Sequence, residues 1–544
     1  MKLTLFVRSI ILIIALLFVM GSITPAYSEP EVRVFVEYRV GQKAAVQNTL
    51  KNAGAAVHYQ FDELNSFVVS LPESALNGIR RNPNVISIEE DPVRELVRNM
   101  PSEAVAVSAE SILPEQVVPY GVDMVQARDI WDANRDGKID KKAPTGAGRT
   151  VCIIDTGFYT EHEDFTGVDV LGGYSQTNGD DTYLWTLDGY GHGTHVAGTI
   201  VAQNNDYGVV GVTPGTASLY IVKIFGDDGL WVSKAHASDL IKAAYICADN
   251  GSNIISMSLS GTNKSGKEER AFNDLYAKGI LSVAAASNDG EPTYHYPASY
   301  NSVISVGALD ENMVIADFSN FNDQVELAAP GVNVLSTVPF LSTASVSVDG
   351  VSYEALGMEF AATGTVTGDL VDGGLCLASD PTADWSGKVV LCSRGSVSFL
   401  EKVTKVMSNG GAAAVIYNNA PGLFSGTLGE AGDYILAVSI SMEDGLYLVQ
   451  NELGFEATVD STFEFPGSGY EAWSGTSMAT PHVSAVAALI WSWNPSLTNV
   501  QIREAMSATA LDLGEPGRDI YYGFGLVQAK DALKYLGGGK PGKK

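Results

Sequence analysis

The chain has 544 residues, 45% hydrophobic and 18% charged, with 56 Gly and 21 Pro, which allows roughly three to four folded units and excludes wholesale disorder. The glycines follow no Gly-X-Y period, so collagen is excluded too. Lys+Arg number 34 against 63 Asp+Glu, a formal charge of −29, and such a surface is expected to have neither nucleic acid nor an anionic membrane as its main partner.

The N-terminus reads as an export signal. Lys2 and Arg8 make a basic start, Ile10 to Met20 is an almost unbroken apolar run, and Ala26-Tyr27-Ser28 offers small residues for cleavage. The run is shorter than the ~20 residues that span a bilayer, so an uncleaved anchor is the weaker reading. Residues 1–28 are expected to be removed, leaving a secreted chain with no membrane segment.

Residues 29–97 read as a small α+β domain. A strand over Val32–Tyr38, a helix over Gln42–Asn52 and strands over Ala56–Phe61 and Ser66–Leu71 come first. A helical piece at Ala75–Arg81 and a strand at Val85–Glu89 complete the order β-α-β-β-α-β, a ferredoxin-like unit. Its place between an export signal and a larger domain suggests a prosegment. Residues 98–115 have mixed polarity and no period, and read as the linker in which maturation occurs.

From residue 116 strands and helices alternate, which predicts a doubly wound, mostly parallel α/β sheet. Val151-Cys152-Ile153-Ile154 stops at Asp155, and Leu219–Ile224 runs into a turn at Gly226–Gly229. Ile254–Met257 stops at Ser258, and Leu281–Ala286 at Ser287-Asn288. Ligands of such sheets sit outside the carboxyl ends of the strands. Chemistry is expected there.

Three motifs carry it. Asp155-Thr156-Gly157 follows the first strand, Gly191-His192-Gly193-Thr194-His195 opens a small-residue helix, and Gly475-Thr476-Ser477-Met478 opens an apolar one. A serine needs a base to act as nucleophile at neutral pH, and the base needs an orienting carboxylate. Each motif alone has a plainer reading. An aspartic dyad needs a second Asp-Thr-Gly; a zinc pair of this kind needs i, i+4 histidines with Glu; a serine at a helix start is commonly a cap. Asp, His and Ser together, in that order, point to a triad.

On these blocks the chain resembles the subtilase family of secreted serine proteases, over nearly all its length. The resemblance implies Ser477 as nucleophile, His192 as general base, Asp155 as its orienting carboxylate and Asn288 as oxyanion-hole donor. His195 and His482 match non-catalytic positions. Ser258, Leu259, Ser260 and Gly261 match the segment that lines the pocket for P1, the residue preceding the cut bond, and Gly229 and Leu230 match an edge that pairs with the substrate. The family more often has Gly at positions 260 and 287, and the loop around Tyr294-His295-Tyr296-Pro297 is shortened. Broad cleavage of proteins and peptides after an apolar P1 is the expectation, by a monomer first inhibited by its own propeptide.

The protease pattern divides into 116–340 and 467–536, with 537–544 a Gly/Lys tail. Residues 341–466 resemble the protease-associated (PA) domain inserted in many larger subtilases, with a role in binding or access on one reading and in stability on the other. An inactive subtilase that binds through this insert is the non-enzymatic alternative. Cys376 and Cys392 flank a short stretch of the insert and are expected to pair. Cys152 and Cys247 are expected as buried thiols, a bridge remaining open.

Calcium is the implied cofactor, at two places. Asp132, Asn134, Asp136 and Asp140 fall at positions 1, 3, 5 and 9 of an EF-hand-like loop, with Gly137 at 6 and the Lys138 carbonyl at 7. Ala143 stands where the bidentate Glu belongs, and a solvated acidic turn is the alternative. By resemblance, the side chains of Gln116, Asp164 and Asn205 and the carbonyls of Gln203, Tyr207 and Val209 form a second site.

Overall fold

The computed structural model describes residues 30–97, 116–176, 184–226, 235–339, 343–358, 361–379, 384–424, 426, 428, 432–462 and 469–537. The expected export signal, the linker and the C-terminal tail lie outside them. The chain divides into two compact units, Met1–Asp91 and Pro92–Lys544.

The first unit comprises β1 (Glu31–Tyr38), α1 (Lys43–Asn52), β2 (Ala56–Phe61), β3 (Ser66–Pro72), α2 (Leu76–Arg80) and β4 (Val85–Glu90). Its antiparallel sheet has the order β2-β3-β1-β4. One face is apolar. Val34, Val36, Phe67 and Val69 meet Val46, Leu50 and Ile79 from the helices in a single core, as period-2 and period-3.6 patterns require.

The second unit begins with β5 (Val93–Leu96), and its centre is a seven-stranded sheet, parallel throughout, of order β14-β13-β12-β10-β6-β8-β7. In chain order its strands and neighbours are β6 (Thr150–Asp155), β7 (Val170–Ser175), α3 (His192–Val201), β8 (Ser218–Lys223) and β9 (Ala235–His236). Next come α4 (Ala237–Asp249), β10 (Ile254–Met257), β11 (Leu259–Ser260), α5 (Gly266–Ala277), β12 (Leu281–Ala285), β13 (Val303–Leu309) and β14 (Val325–Pro330). Side chains alternate between two cores. Val151, Ile153, Leu219 and Ile221 face one cluster, while Cys152, Ile154, Tyr220 and Val222 face the other. Burial on both faces explains why these strands read as continuous apolar runs. The expected α/β class is what the chain adopts.

A two-stranded antiparallel stalk, β15 (Val334–Thr337) with β23 (Tyr470–Trp473), brackets the insert. Between them β16 (Thr343–Val348), β17 (Val351–Gly357), β18 (Gly364–Asp372), β19 (Val389–Ser393), β20 (Ala413–Tyr417), β21 (Leu436–Ile440) and β22 (Glu456–Thr462) close into a barrel. Helices α6 (Phe399–Ser408) and α7 (Met442–Asn451) accompany it, and α8 (Thr476–Trp493) follows the stalk, buried over nearly its whole length.

The cysteines require one correction. Cys376 is bridged to Cys392, and Cys152, expected as a thiol, is bridged to Cys247. Cys152 points from β6 into the core that α4 covers, which brings the two Cα atoms to 5.7 Å, within bridging reach. Sequence spacing gave no sign of it, because 95 residues separate the pair. A loop of that length corresponds to roughly 4–5 kcal/mol in the chain-entropy view. The Cys152→Ala/Cys247→Ala double variant should therefore unfold at a clearly lower temperature in calorimetry, and more so than the Cys376/Cys392 counterpart, whose loop spans 16 residues.

Candidate active site

The carboxyl ends of the central strands meet two helix N-termini. β6 delivers Asp155, whose Oδ1 lies 2.7 Å from Nδ1 of His192, the first residue of α3; both are fully buried. This contact fixes the imidazole ring and turns Nε2 away, where it is buried and has no hydrogen-bond partner among the described residues. Ser477, the second residue of α8, is equally buried. Its Oγ lies 3.3 Å from the Val97 carbonyl oxygen and 3.4 Å from that of Ser258. Asn288 accepts at Oδ1 from the Thr476 N–H (2.9 Å) and hydroxyl (2.8 Å). That arrangement directs the amide nitrogen as the donor end.

A strand of the chain itself occupies the cleft. β5 runs antiparallel between β11, with Leu96 opposite Leu259 and Glu95 opposite Ser260, and β9, with Val93 opposite His236 and Arg94 opposite Ala235. At its end the Val97 N–H donates to Ser258 O at 3.2 Å. Gly261 leaves room for this strand, since a Cβ there would come within 2.5 Å of Val93 O and 2.8 Å of Arg94 Nη1. Ser258, Leu259, Ser260 and Gly261 thus line one side of β5. Gly229 and Leu230 lie outside the described residues. On the other side the described partner is β9, too short to show any period in sequence.

The comparisons with known proteins point to one family. The subtilase family model matches residues 146–368 and 409–525, a PA-domain model matches 366–448, and a peptidase inhibitor I9 model matches 34–97. The chain belongs to the subtilase family. It is 28% identical to M-protease of Shouchella clausii, over 88% of this chain and 81% of that protein. Subtilisin DY of Bacillus licheniformis is 40% identical over 44% of this chain and 80% of that protein. Fervidolysin from Fervidobacterium pennivorans, a solved keratinolytic enzyme related to subtilisin, shares the fold with a TM-score of 0.58 at 20% identity, covering 94% of this chain and 62% of that one. The protein is a subtilisin-like serine endopeptidase with an inhibitor-type propeptide and a PA domain.

Among the subtilase's other histidines, His195 and His482 are fully buried, and burial pulls their pKa values down to about 3 and about 4. They are neutral at working pH. His195 stacks on Trp473 of the stalk, ring centroids 4.6 Å apart.

The polar residues near the P1 segment form one knot. His295 Nδ1 lies 3.2 Å from Ser260 Oγ and its Nε2 3.1 Å from Asp289 Oδ2, while Ser287 Oγ donates to Asp289 at 3.0 Å. Ser287 has φ +93, a conformation that favours glycine, which accounts for glycine being the commoner residue at this place.

Around Gln116, backbone and side-chain oxygens converge. Its Nε2 lies 2.7 Å from Gln203 O, 3.0 Å from Asn205 Oδ1, 3.3 Å from Tyr207 O and 3.4 Å from Val209 O. Asp164 joins them, accepting from Asn205 Nδ2 at 3.0 Å and from the Val209 N–H at 2.8 Å. Burial pushes its carboxyl up to about 6. The loop from Asp132 is different. Asp132 accepts from the N–H groups of Asp136 and Gly137, Asp136 from Lys138 and from Asn134 Nδ2, and Asp140 from Ala133.

One positioning residue escaped the sequence reading. Asp188 is buried and accepts from Thr156 Oγ1 (2.7 Å), Gly191 N–H (2.8 Å), Thr194 N–H (2.8 Å) and Thr194 Oγ1 (2.6 Å). It ties the turn after Asp155 to the start of the His192 helix. A lone Asp in a glycine-rich loop gave no signal. Asp188→Ala would leave four buried donors unmatched, so kcat should fall at least tenfold with KM little changed, and stability by about 2–4 kcal/mol. Steady-state kinetics and thermal melts check both.

Proposed function

We propose that Asp155, His192 and Ser477 hydrolyse peptide bonds through an acyl-enzyme, and that the chain is an exported zymogen whose first substrate is its own Val97–Arg98 bond. The observation that carries this is the Val97 carbonyl oxygen accepting from Ser477 Oγ at 3.3 Å, at the end of a strand paired on both edges. In the reaction Ser477 Oγ bonds to the carbonyl carbon while its proton passes to His192 Nε2. The developing oxyanion is met by Asn288 and the Ser477 N–H. His192 then protonates the departing amine. Water, deprotonated by the same nitrogen, cleaves the ester and returns Ser477. Losing one oxyanion donor costs ~10²–10³ in kcat, a magnitude that comes from subtilisin itself. An apolar P1 side chain is the reading Val97 favours, and the prosegment tail acts as inhibitor as long as it stays in the cleft. For the PA barrel, binding or access control and a stabilising role both remain readings.

Calcium fits the Gln116 cage. An amide has two hydrogens, yet four oxygens lie within 3.4 Å of this nitrogen, so the set matches a cation better than an NH₂ group. Turning the amide would add its own oxygen, and Gln116, Asp164 and Asn205 with the carbonyls of Gln203, Tyr207 and Val209 would hold the ion. The ion would supply stability rather than chemistry. The loop of Asp132, Asn134, Asp136, Lys138 and Asp140 does not fit an ion: among the described residues no three acidic side chains converge to hold a metal, and Asp132, Asp136 and Asp140 accept from the loop's own N–H groups.

Ser477→Ala should accumulate as an unprocessed, inactive chain; full proteolysis by the purified variant would sink the triad. EDTA should lower the melting temperature, an ion at 100 times its Kd being worth ~2.7 kcal/mol. That calcium-dependent gain should fade as pH falls through about 6, because protonating Asp164 removes a negative ligand. Melting unchanged by chelation would remove the Gln116 site.

A further inference from the structure

The fourth residue back from the proposed cleavage point is an arginine, and it is completely buried. Counting Val97 as the first, Leu96, Glu95 and Arg94 follow as second, third and fourth. The Arg94 side chain has no exposed surface, and neither has that of Glu268 facing it. The pair is bidentate, with Nε to Oε1 at 3.0 Å and Nη2 to Oε2 at 2.5 Å, while Nη1 donates to the Val93 carbonyl at 2.9 Å. This fork-to-fork arrangement is one that lysine cannot reproduce.

The carboxylate is held in place from the enzyme side. Glu268 lies in the first turn of α5, where the helix favours negative charge. Its own N–H is capped by Ser265 Oγ at 3.2 Å, and the Tyr300 hydroxyl donates to Oε2 at 2.8 Å. Burial alone would pull the guanidinium's pKa down, but the facing carboxylate outweighs it and leaves the pKa raised.

We propose that Glu268 forms the floor of a specificity pocket for arginine at the fourth position before the cleaved bond, so that the preferred substrates are proteins presenting Arg-x-x-Val in extended form. This rests on the protease reading above and narrows the broad specificity expected from sequence. A buried carboxylate without a cation opposite it is costly, so a substrate with a neutral residue there both forgoes the ion pair and strands the charge.

The test compares three fluorogenic peptides carrying residues 93–97 and a coumarin amide after Val97, with Arg, Lys or Ala at the fourth position. They are offered to the processed wild-type enzyme and to Glu268→Gln, with a fluorophosphonate probe run alongside. Wild type should favour the arginine peptide on the order of 30-fold or more in kcat/KM, a lysine peptide should fall between, and in Glu268→Gln the Arg/Ala ratio should approach one. Wild-type enzyme that takes the probe yet cleaves the arginine and alanine peptides equally would overturn the pocket and leave the protease reading standing. Absence of both labelling and cleavage would overturn both. The wild-type comparison decides the matter even where Glu268→Gln does not fold.

Discussion

The cleft depends first on the 2.7 Å contact between His192 Nδ1 and Asp155 Oδ1. It joins the end of a buried parallel strand to the first residue of a helix, two elements 37 residues apart. Neither side chain could be held there by local sequence. The strand is fixed by pairing with β8 and β10, and the helix start by the four donors that Asp188 collects. With Nδ1 committed, Nε2 is the nitrogen left for the proton transfer proposed above; it has no hydrogen-bond partner among the described residues, and Ser477 Oγ donates to the Val97 and Ser258 carbonyls. Preorganisation of this kind is what lets a serine act at neutral pH.

The α/β class was legible because strands buried on both faces read as short apolar runs, and their carboxyl ends were legible because three of the four runs stop at a polar residue and the fourth, Leu219–Ile224, at a glycine turn. The three motifs could be read locally since a tight turn and a helix start demand glycine and small residues in fixed order. What could not be read is what only three-dimensional closeness creates. The Cys152–Cys247 bridge, the Asp188 clamp and the β9 edge all join residues whose spacing has no periodic meaning. Glu268 is the sharpest case. In sequence it is one charge in Lys-Glu-Glu-Arg on a helix, indistinguishable from a solvated face.

Two positions show how one residue change redistributes strain and polarity. Serine at 287 sits at φ +93, where glycine would be free of cost. Its hydroxyl binds Asp289, which also meets His295, which meets Ser260. Compensation is therefore local: the polar groups introduced beside the P1 segment satisfy one another. The result is a closed hydrogen-bonded knot of Ser287, Asp289, His295 and Ser260.

The same arginine explains how one tail can be both substrate and inhibitor. While Val97 is joined to Arg98, Arg94 meets Glu268 within one chain and so at high effective concentration; the proposed cleavage would remove that tether and leave the tail held by its own contacts alone. Cutting after Val97 removes nothing from β5, β9 or β11; every backbone bond of that strand and the buried pair survive the reaction. On the proposed cleavage the cut tail would therefore keep these contacts, which favour its staying in the cleft. Release needs the Arg94–Glu268 pair to be replaced by water or by another arginine. On the proposed specificity the order of events would be set by charge: the chain would be cut first, stay inhibited, and become active when its own tail is exchanged for a substrate carrying the same cation.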